Sequence, residues 1–407
     1  MGPLHGIKVL DLSRILAGPW ATQCLADFGA TVWKVEKPGA GDDTRHWGPP
    51  WLKDRKGADT AEAAYYASAN RGKHSLAIDF TRPAGQQLIR GLAMRADVFI
   101  ENFRVGTLAK HRLGWQSLRG VNPKLIYCSI SAFGQDGPAA NEAGYDAMIQ
   151  AMSGLMSVTG VPDGEPGAGP VKVGVAVSDL ITGLYAVTAI TAALYEREQS
   201  GRGQYIDLAL LDTQIAALAN QNLNYLVGGK PPRRQGTAHP NIVPYQAFAT
   251  RDGYLMLAVG NDRQFKAFCK AAGRPGLAAD KRFRSNALRV EHRAALIPEI
   301  DRLSRQKTTT IWLKALAAAG VPCGPINDLA QVFAEPQVQH RKMRFDLPHS
   351  LGGKVPQVRN PVLFSRNALE YRDPPPLLGQ HTESVLTAEL GLTPDEILSL
   401  KTDGTIR

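Results

Sequence analysis

The sequence predicts an α/β protein with a parallel sheet in its first domain. Short apolar runs alternate with helical segments through the first third of the chain, and the connections between them are short. The length of 407 residues exceeds what one ordinary core holds, which predicts two domains. The proportions of hydrophobic residues (44%) and charged residues (21%) are those of a folded globular protein.

The alternation is visible as apolar runs that end at glycine, proline or polar clusters. Predicted strands cover residues 7–12, 30–35, 75–80, 98–100 and 125–131, and predicted helices cover residues 20–28 and 83–95, with a short helix near Leu108. Ligands of parallel sheets bind beyond the carboxyl ends of the strands. The loops expected to form a site are therefore those around Ala17, Glu36, Asn102 and Phe133.

The later part of the chain predicts a smaller domain. Residues 220–245 are rich in glycine, proline and arginine and are typical of a linker or an ordered loop. A predicted strand at 254–259 is followed by predicted helices near 263–272, 287–302 and 309–319. From residue 330 onward, the tail could return to the first domain.

Composition and missing motifs narrow the function. The net charge is +10, but Lys and Arg are scattered, which favours a phosphorylated small ligand over nucleic acid. The chain has no GxGxxG or Walker motif, no GxSxG and no HExxH, so dinucleotide binding, nucleoside triphosphate binding, serine hydrolysis and a metal site lack their usual signals.

The four cysteines are far apart and lie in or beside apolar segments, which indicates reduced, buried thiols. The N-terminal residues resemble neither a secretory nor a mitochondrial leader, and no uninterrupted apolar run is long enough to span a membrane. We expect a cytoplasmic protein without a membrane partner. A processed organellar form stays open.

Asp179 lies where an apolar extended run becomes a helix. The predicted buried face of this helix consists of Leu184, Val187, Ile190, Ala193 and Leu194, and Gly201 marks its end. Unpaired backbone N–H groups and the helix dipole favour an ionised carboxylate at a helix start. Such a carboxylate suits a nucleophile, but the local sequence by itself favours an ordinary helix cap, because aspartate is among the preferred capping residues.

Several segments together resemble one family. They are DLSRILAGPWATQCLADFGATVWKVEKPGAGDDTR, ENF at 101–103, SISAFGQDGP from Ser129, AGYDAMIQAMSG from Ala143, SGRGQYIDLALLD and GVPCGPIND from Gly320. In this order they resemble the class III CoA-transferases, or CaiB/BaiF family, across nearly the whole chain.

The resemblance implies a mechanism in which Asp179 attacks the carbonyl of an acyl-CoA. The resulting mixed anhydride is then attacked by CoA to give an aspartyl-CoA thioester, and a second carboxylic acid reverses the sequence. Acyl-CoA and CoA are then substrates, and no tightly bound cofactor is expected. The resemblance also implies a large Rossmann-like CoA-binding domain from residues 1–220 and 330–407, a linker and small α+β domain at 221–329, and an interlocked homodimer.

The resemblance assigns further positions by residue. CoA is expected against Leu16, Ala17, Lys37, Arg71, Lys73, Asn102, Phe103, and Lys110 or Arg112. Other segments resemble the succinate–hydroxymethylglutarate (glutarate) CoA-transferases, which implies succinyl-CoA as donor and a dicarboxylic acid as acceptor. Arg45, Arg71 and His239 are the candidates for the distal carboxylate.

Two other functions are weighed against transfer. The 2-methylacyl-CoA racemases share the fold but use a His/Asp pair, and this chain has Tyr145 where their histidine falls. Tyrosine, with an ordinary pKa near 10, is a poor base, which disfavours racemisation. The other alternative is a CoA-binding or assembly protein without catalytic activity. The presence of Asp179 disfavours this alternative.

Overall fold

A six-stranded parallel sheet forms the centre of the larger of two structural units. The computed structural model describes residues 1–369, 371 and 373–407. The larger unit comprises Met1–Leu155, Lys172–Lys230 and Gln339–Arg407, and the smaller comprises Met156–Val171 and Pro231–Val338. These units differ from the expected domain limits, because residues 156–171 and 330–338 group with the smaller unit and residues 221–230 with the larger.

The secondary structure follows the chain from end to end. The strands are β1 (Lys8–Asp11), β2 (Thr31–Glu36), β3 (Trp51–Lys53), β4 (Asp59–Ala63), β5 (Lys73–Ala77), β6 (Val98–Glu101), β7 (Ile126–Ser131), β8 (Gly160–Val161), β9 (Gly169–Pro170), β10 (Tyr205–Ala209), β11 (Tyr245–Ala249), β12 (Tyr254–Ala258), β13 (Cys323–Pro325), β14 (Arg344–Pro348) and β15 (Lys354–Val358).

The helices lie between these strands. They are α1 (Ala17–Asp27), α2 (Ala64–Ala69), α3 (Pro83–Ala93), α4 (Thr107–Lys110), α5 (Trp115–Val121), α6 (Asp146–Met152), α7 (Leu155–Val158), α8 (Val177–Ser200), α9 (Leu210–Ala217), α10 (Asn220–Gly228), α11 (Asp262–Ala271), α12 (Pro275–Ala279), α13 (Asn286–Glu291), α14 (Arg293–Ser304), α15 (Thr309–Ala318), α16 (Leu329–Ala334), α17 (Pro336–His340), α18 (Thr382–Val385) and α19 (Pro394–Thr402). A 3₁₀ turn covers Asp43–His46 and a π-helical turn covers Leu386–Leu390.

The central sheet has the strand order β10-β7-β6-β1-β2-β5, and all its pairings are parallel. From β1 the chain first builds outward through β2 to β5 and then returns to add β6, β7 and β10 on the other side. The loops after β1 and β6 therefore diverge at their carboxyl ends. Such a switch point opens a crevice in which parallel sheets bind ligands.

Alternation along the strands produces two cores. On β1, Val9 faces the core under α1 and α8, whereas Leu10 faces the core under α3 and α5. The final residues of the chain join the second core, since Ile406 is only 2% exposed and forms a bridge to Ile78. This confirms an α/β fold with a large parallel sheet.

The smaller unit has its own core. The antiparallel sheet β11-β12-β13 packs with the following helices around Trp312, Phe265 and Leu257, all nearly inaccessible to solvent. The predicted helix at 287–302 is two helices, α13 and α14, which meet at His292.

Helix α8 ends at Gly201, whose left-handed φ of 71° suits glycine. Its buried face contains Gly183, Ala186, Ile190 and Ala193. The expectation that Leu184 is buried is wrong, because this residue is one position off that face and is 52% exposed.

By length and composition, α8 is the one helix in the described part of the chain that could cross a membrane, with a mean hydropathy of 1.5. Core helices share this property, and Ala186, Ile190 and Ala193 of α8 are core residues.

Candidate active site

The crevice at the carboxyl ends of β1, β6 and β7 contains a cavity of about 330 Å³. Its walls come from four segments of the larger unit, which are 14–17, 102–105, 130–132 and 140–146, together with Asp179 and Leu210. Three of these segments directly follow parallel strands, as expected for a ligand site of such a sheet.

Asp179 lies in the first turn of α8 and is 9% exposed. Its backbone N–H donates to Asp146, but among the described residues none donates a hydrogen bond to its carboxylate. The carboxylate is therefore not an ordinary helix cap. It is a buried acid that faces a cavity without a partner.

Asp146 supplies the cap that α8 needs. Its Oδ2 accepts the backbone N–H groups of Ser178 (2.8 Å) and Asp179 (3.3 Å), across 32 and 33 residues of sequence. Gln150, one turn along α6, donates to the other oxygen of Asp146 at 2.6 Å and accepts from the Val173 N–H at 2.9 Å. The start of α8 is therefore fixed by α6 and not by a local side chain.

Burial raises the pKa of Asp179 to about 7, and the like charge of Asp146 adds to this effect. Its position at a helix start had predicted that the ionised form is favoured. The pKa direction is opposite because the carboxylate lies in a poorly hydrated cavity and has an acidic neighbour. Near neutral pH the Asp179 carboxyl group is therefore present both in its protonated form and in its ionised, nucleophilic form.

The start of α1 forms the wall near Asp179. Ile15, Leu16 and Ala17 line the cavity, and α1 has no side-chain cap at Leu16. Gly183 of α8 packs against this turn, since a Cβ there would lie 2.8 Å from the Ala17 carbonyl oxygen. The uncapped first turn of α1 therefore begins at the edge of the cavity that contains Asp179.

A second cavity of about 480 Å³ lies beside the first. Lys37, Phe80 and Phe103 line it, and Arg14 lines both cavities. The Arg14 guanidinium lies 5.5 Å from the centre of the Phe103 ring and pairs with Asp43 at 3.0 Å. This second cavity offers aromatic surface and the exposed cations Arg14 and Lys37, together with the carboxylates of Glu36, Asp42, Asp43 and Asp79.

The structure brings five of the proposed CoA-binding residues to these cavities. Leu16, Ala17, Asn102 and Phe103 line the Asp179 cavity, and Lys37 lines the second. Lys110 and Arg112 are exposed at the end of α4 and line neither cavity.

Three of the cations proposed as ligands, Lys73, Arg71 and Arg45, instead form contacts within the protein. Lys73 is fully buried and donates to Asp11, Asn70 and the Pro19 carbonyl. Arg71 is held by Asp27, with contacts of 2.6 and 2.8 Å. Since a side chain committed to buried partners cannot also reach a dissolved anion, the expectation that these residues bind CoA is corrected.

Arg45 is also committed to protein carboxylates. It makes two hydrogen bonds to Glu36, pairs with Glu62 at 3.0 Å and stacks 3.7 Å from the centre of the Tyr66 ring. This corrects its assignment to the distal carboxylate of a substrate, as the Asp27 pair does for Arg71. His239 lies in the smaller unit, where its Nδ1 accepts from the Asn241 N–H at 3.0 Å.

Sequence reasoning missed Arg14, Arg104 and Asp146. All three line the Asp179 cavity, and Arg104 is exposed with no ion pair among the described residues. Arg14 and Arg104 each lie just beyond a predicted strand, which was an available signal. No sequence signal indicated Asp146, because the cap that it provides joins segments that are distant in sequence.

Comparison with known proteins assigns the family. The model of "CoA-transferase family III" matches residues 4–382. The chain is similar to the succinate–glutarate CoA-transferase of Agrobacterium fabrum, with 51% identity over 95% of this chain and 96% of the relative. It is also similar to the human succinyl-CoA:glutarate CoA-transferase, with 45% identity over 94% and 85%.

A solved structure agrees with these relatives. The crystal structure of a CaiB/BaiF family protein from Brucella suis superimposes with a TM-score of 0.83 at 47% identity, covering 95% of this chain and 99% of that one. The family match spans the parallel sheet, the cavity and Asp179. The chain therefore belongs to CoA-transferase family III, the CaiB/BaiF family, and is a CoA-transferase.

Proposed function

We propose that the chain transfers CoA from succinyl-CoA to glutarate or a similar dicarboxylic acid, with Asp179 as the nucleophile. The free, buried carboxylate of Asp179 in a cavity at the sheet switch point is the observation that carries the mechanism. The names of the relatives from Agrobacterium fabrum and human support the two substrates.

In the proposed first half-reaction, a carboxylate oxygen of Asp179 attacks the thioester carbonyl carbon. The C–S bond breaks, CoA leaves as thiolate, and a mixed anhydride of succinate and Asp179 remains. The thiolate then attacks the Asp179 carbonyl carbon, which releases succinate and forms an aspartyl-CoA thioester. A glutarate carboxylate oxygen attacks the carbonyl carbon of that thioester, the C–S bond breaks, and CoA leaves again as thiolate from a mixed anhydride of glutarate and Asp179. The thiolate then attacks the glutaryl carbonyl carbon of the anhydride, which releases glutaryl-CoA and regenerates the Asp179 carboxylate.

The start of α1 is suited to stabilise the oxyanions of these steps. Backbone N–H groups of an uncapped first turn carry partial positive charge and are already oriented before reaction. Asp146 has a different role in the proposal, because it fixes the backbone of Asp179 through the Ser178 and Asp179 N–H groups. Its negative charge also keeps the pKa of Asp179 raised.

The two cavities suggest how substrates are held. Lys37 and Arg14, with Phe80 and Phe103, are suited to the phosphates and adenine of CoA. Arg104 is suited to the distal carboxylate of the acid, since it lines the Asp179 cavity and has no anionic partner in the described part of the chain. It replaces Arg45 and Arg71 in that role.

The proposed assembly is a homodimer. Large apolar side chains are exposed on α8, α9 and α10, among them Tyr195 (71%), Ile215 (42%), Leu226 (72%) and Val227 (82%). Apolar surface of this extent on a folded chain marks an interface.

The test is incubation of the full chain with succinyl-CoA and a series of acids. Mass spectrometry of products and of the intact protein should show glutaryl-CoA and a covalent CoA adduct. Asp179→Asn should abolish both, whereas Asp212→Asn should leave both unchanged, because Asp212 lies in the first turn of α9 but lines no described cavity.

If the Asp179→Asn variant still transfers CoA and its asparagine has not been converted back to aspartate, the proposed mechanism is wrong. Deuterium uptake from solvent at the α-carbon of an acyl-CoA, without acyl exchange, would favour racemisation.

The role of Arg104 is tested by a second variant. Arg104→Met should raise KM for glutarate more than KM for a monocarboxylic acid.

A further inference from the structure

Two lysines are buried beneath the loop between β1 and α1, and the proposed mechanism uses neither. Lys34 on β2 and Lys73 on β5 are both 0% exposed. Lys34 pairs with Asp42 at 2.9 Å, and Lys73 pairs with Asp11 at 3.3 Å. Unpaired burial of such charges is strongly unfavourable, so the pairs explain how the lysines are tolerated but not what they do.

Each lysine also holds one end of the loop. Lys34 Nζ donates to the Ser13 carbonyl within the loop, and Lys73 Nζ donates to the Pro19 carbonyl in the first turn of α1, directly after the loop, both at 2.9 Å. The paired carboxylates hold the loop as well.

Asp11 accepts from the Ser13 N–H at 2.8 Å, and Asp42 accepts from the Ile15 N–H at 3.3 Å. Both members of each ion pair therefore contact the backbone of the loop or of the first turn of α1.

The loop needs this restraint because Ile15 has a left-handed φ of 69°. A β-branched residue in this conformation is strained and persists only where its surroundings fix it. Asn102 adds two further contacts, accepting from the Arg14 N–H and donating to the Arg14 carbonyl, each at 2.8 Å.

The loop in turn sets the wall of the reaction site. Ile15, Leu16 and Ala17 line the same cavity as Asp179, and the Ala17 carbonyl is the atom against which Gly183 of α8 packs. A relaxed loop would move the start of α1 relative to Asp179. Misplacement of about 1 Å at such a site costs on the order of 10²-fold in rate.

We propose that Lys34 and Lys73 are positioning residues for CoA transfer, each clamping one end of the strained loop that sets the start of α1 against Asp179. The proposal rests on the proposed function for its kinetic consequence, whereas its structural consequence is independent of any activity. A purely stabilising role predicts that a well-packed apolar pair can replace an ion pair. A positioning role predicts that it cannot, because the loop carbonyl and N–H lose their partners.

The experiment compares Lys34→Met with the double variant Lys34→Met/Asp42→Leu. The single variant leaves Asp42 buried without its nearest cation and should lower Tm. The double variant removes both charges and should recover most of that Tm. Its kcat for transfer should nevertheless stay about 10²-fold below wild type, with KM for succinyl-CoA changed only a few-fold. Lys53→Met, which removes an exposed ion pair with Asp59, is the control and should change nothing.

Amide hydrogen exchange of residues 13–19 is the second measurement. In the double variant the Ile15 amide should exchange faster, since Asp42 no longer accepts from it. Recovery of both Tm and kcat in the double variant would overturn the proposal, and so would a kcat loss with wild-type exchange of the loop. If the double variant does not fold, Asp42→Ala, which also removes the acceptor of the Ile15 N–H, is tested by the same two measurements.

The two proposals fail in different ways. A wild-type protein that does not transfer CoA refutes the proposed function, and loop exchange then still reports whether the pair holds the loop. A transferring wild-type protein with a fully active, recovered double variant refutes the clamp alone.

Discussion

Asp179 is a nucleophile candidate because burial and a free carboxylate coincide in one residue. We expect the transfer rate to rise with pH around a pKa of about 7, because only the ionised carboxylate can attack. Asp146→Asn should shift this profile to lower pH, since it removes the like charge while keeping an oxygen for the α8 cap. Rates between pH 5.5 and about 8.5, in the range where a shifted carboxylate titrates, measure the effect, with Asp212→Asn as the control. An unchanged profile in Asp146→Asn would contradict it.

The same carboxylate is expected to cost stability at neutral pH. Its folded-state pKa of about 7 lies above the unfolded value of 3.8, so the folded chain binds more protons between these values. The contribution of Asp179 is therefore favourable below this interval and is lost as pH rises through it. Asp179→Asn should raise Tm at pH 8 but not at pH 4, as measured by scanning calorimetry. An equal change at both pH values would refute this account.

Gly18 and Gly120 provide a matched pair of glycine substitutions. A Cβ at Gly18 would lie 2.2 Å from the Ser13 side chain, whereas one at Gly120 meets nothing within 4 Å. We expect Gly18→Ala to destabilise the larger unit by about 1–3 kcal/mol. Gly120→Ala, in α5, should stabilise by roughly 0.5–1 kcal/mol. Denaturant midpoints measure both, and a neutral Gly18→Ala would show that the loop and α1 can separate without cost.

At the scale of elements, β2 and the turn that follows it are joined by Arg45. Because this side chain pairs with Glu36 and Glu62 in a buried site, Arg45→Met should destabilise the fold by about 3–5 kcal/mol. Arg14→Met should instead raise KM for the acyl-CoA with little change in Tm, since Arg14 is 48% exposed and lines both cavities. Melting curves and initial rates separate the two. A raised KM without loss of Tm in Arg45→Met would restore it as a substrate ligand.

The strands and helices also show how much of the fold can be predicted from the sequence. Apolar runs predicted β1, β2, β6 and β7 to within a few residues, because each is a buried strand bounded by polar or glycine-containing turns. Asp179 and the loops after β1 and β6 follow from the same pattern. The three cations Arg45, Arg71 and Lys73 were misassigned because a basic residue in a loop looks the same whether its carboxylate partner is a ligand or, as here, Glu36, Asp27 or Asp11.

At the scale of the whole molecule, exposed apolar helices and a CoA-transferase fold together support the proposed homodimer. We expect light scattering to give twice the chain mass of 44.0 kDa. Leu226→Glu/Val227→Glu should yield a monomer, because buried charges at an apolar interface are strongly unfavourable. Leu398→Glu, at a 63% exposed site on α19, is the control. A monomeric wild type would refute the assembly. The cytoplasmic location stays a prediction.

The pairing of Ile406 with Ile78 has a consequence for how the protein is made. During synthesis, residues 1–230 leave the ribosome well before Gln339–Arg407. The β5 edge of the parallel sheet therefore lacks its contact with the C-terminal residues until translation is complete. The smaller unit, by contrast, has all its segments outside the tunnel once residue 338 has emerged. We therefore expect a released chain truncated near residue 340 to contain a protease-resistant smaller unit and a protease-sensitive N-terminal region, whereas both regions of the full-length chain should resist the protease.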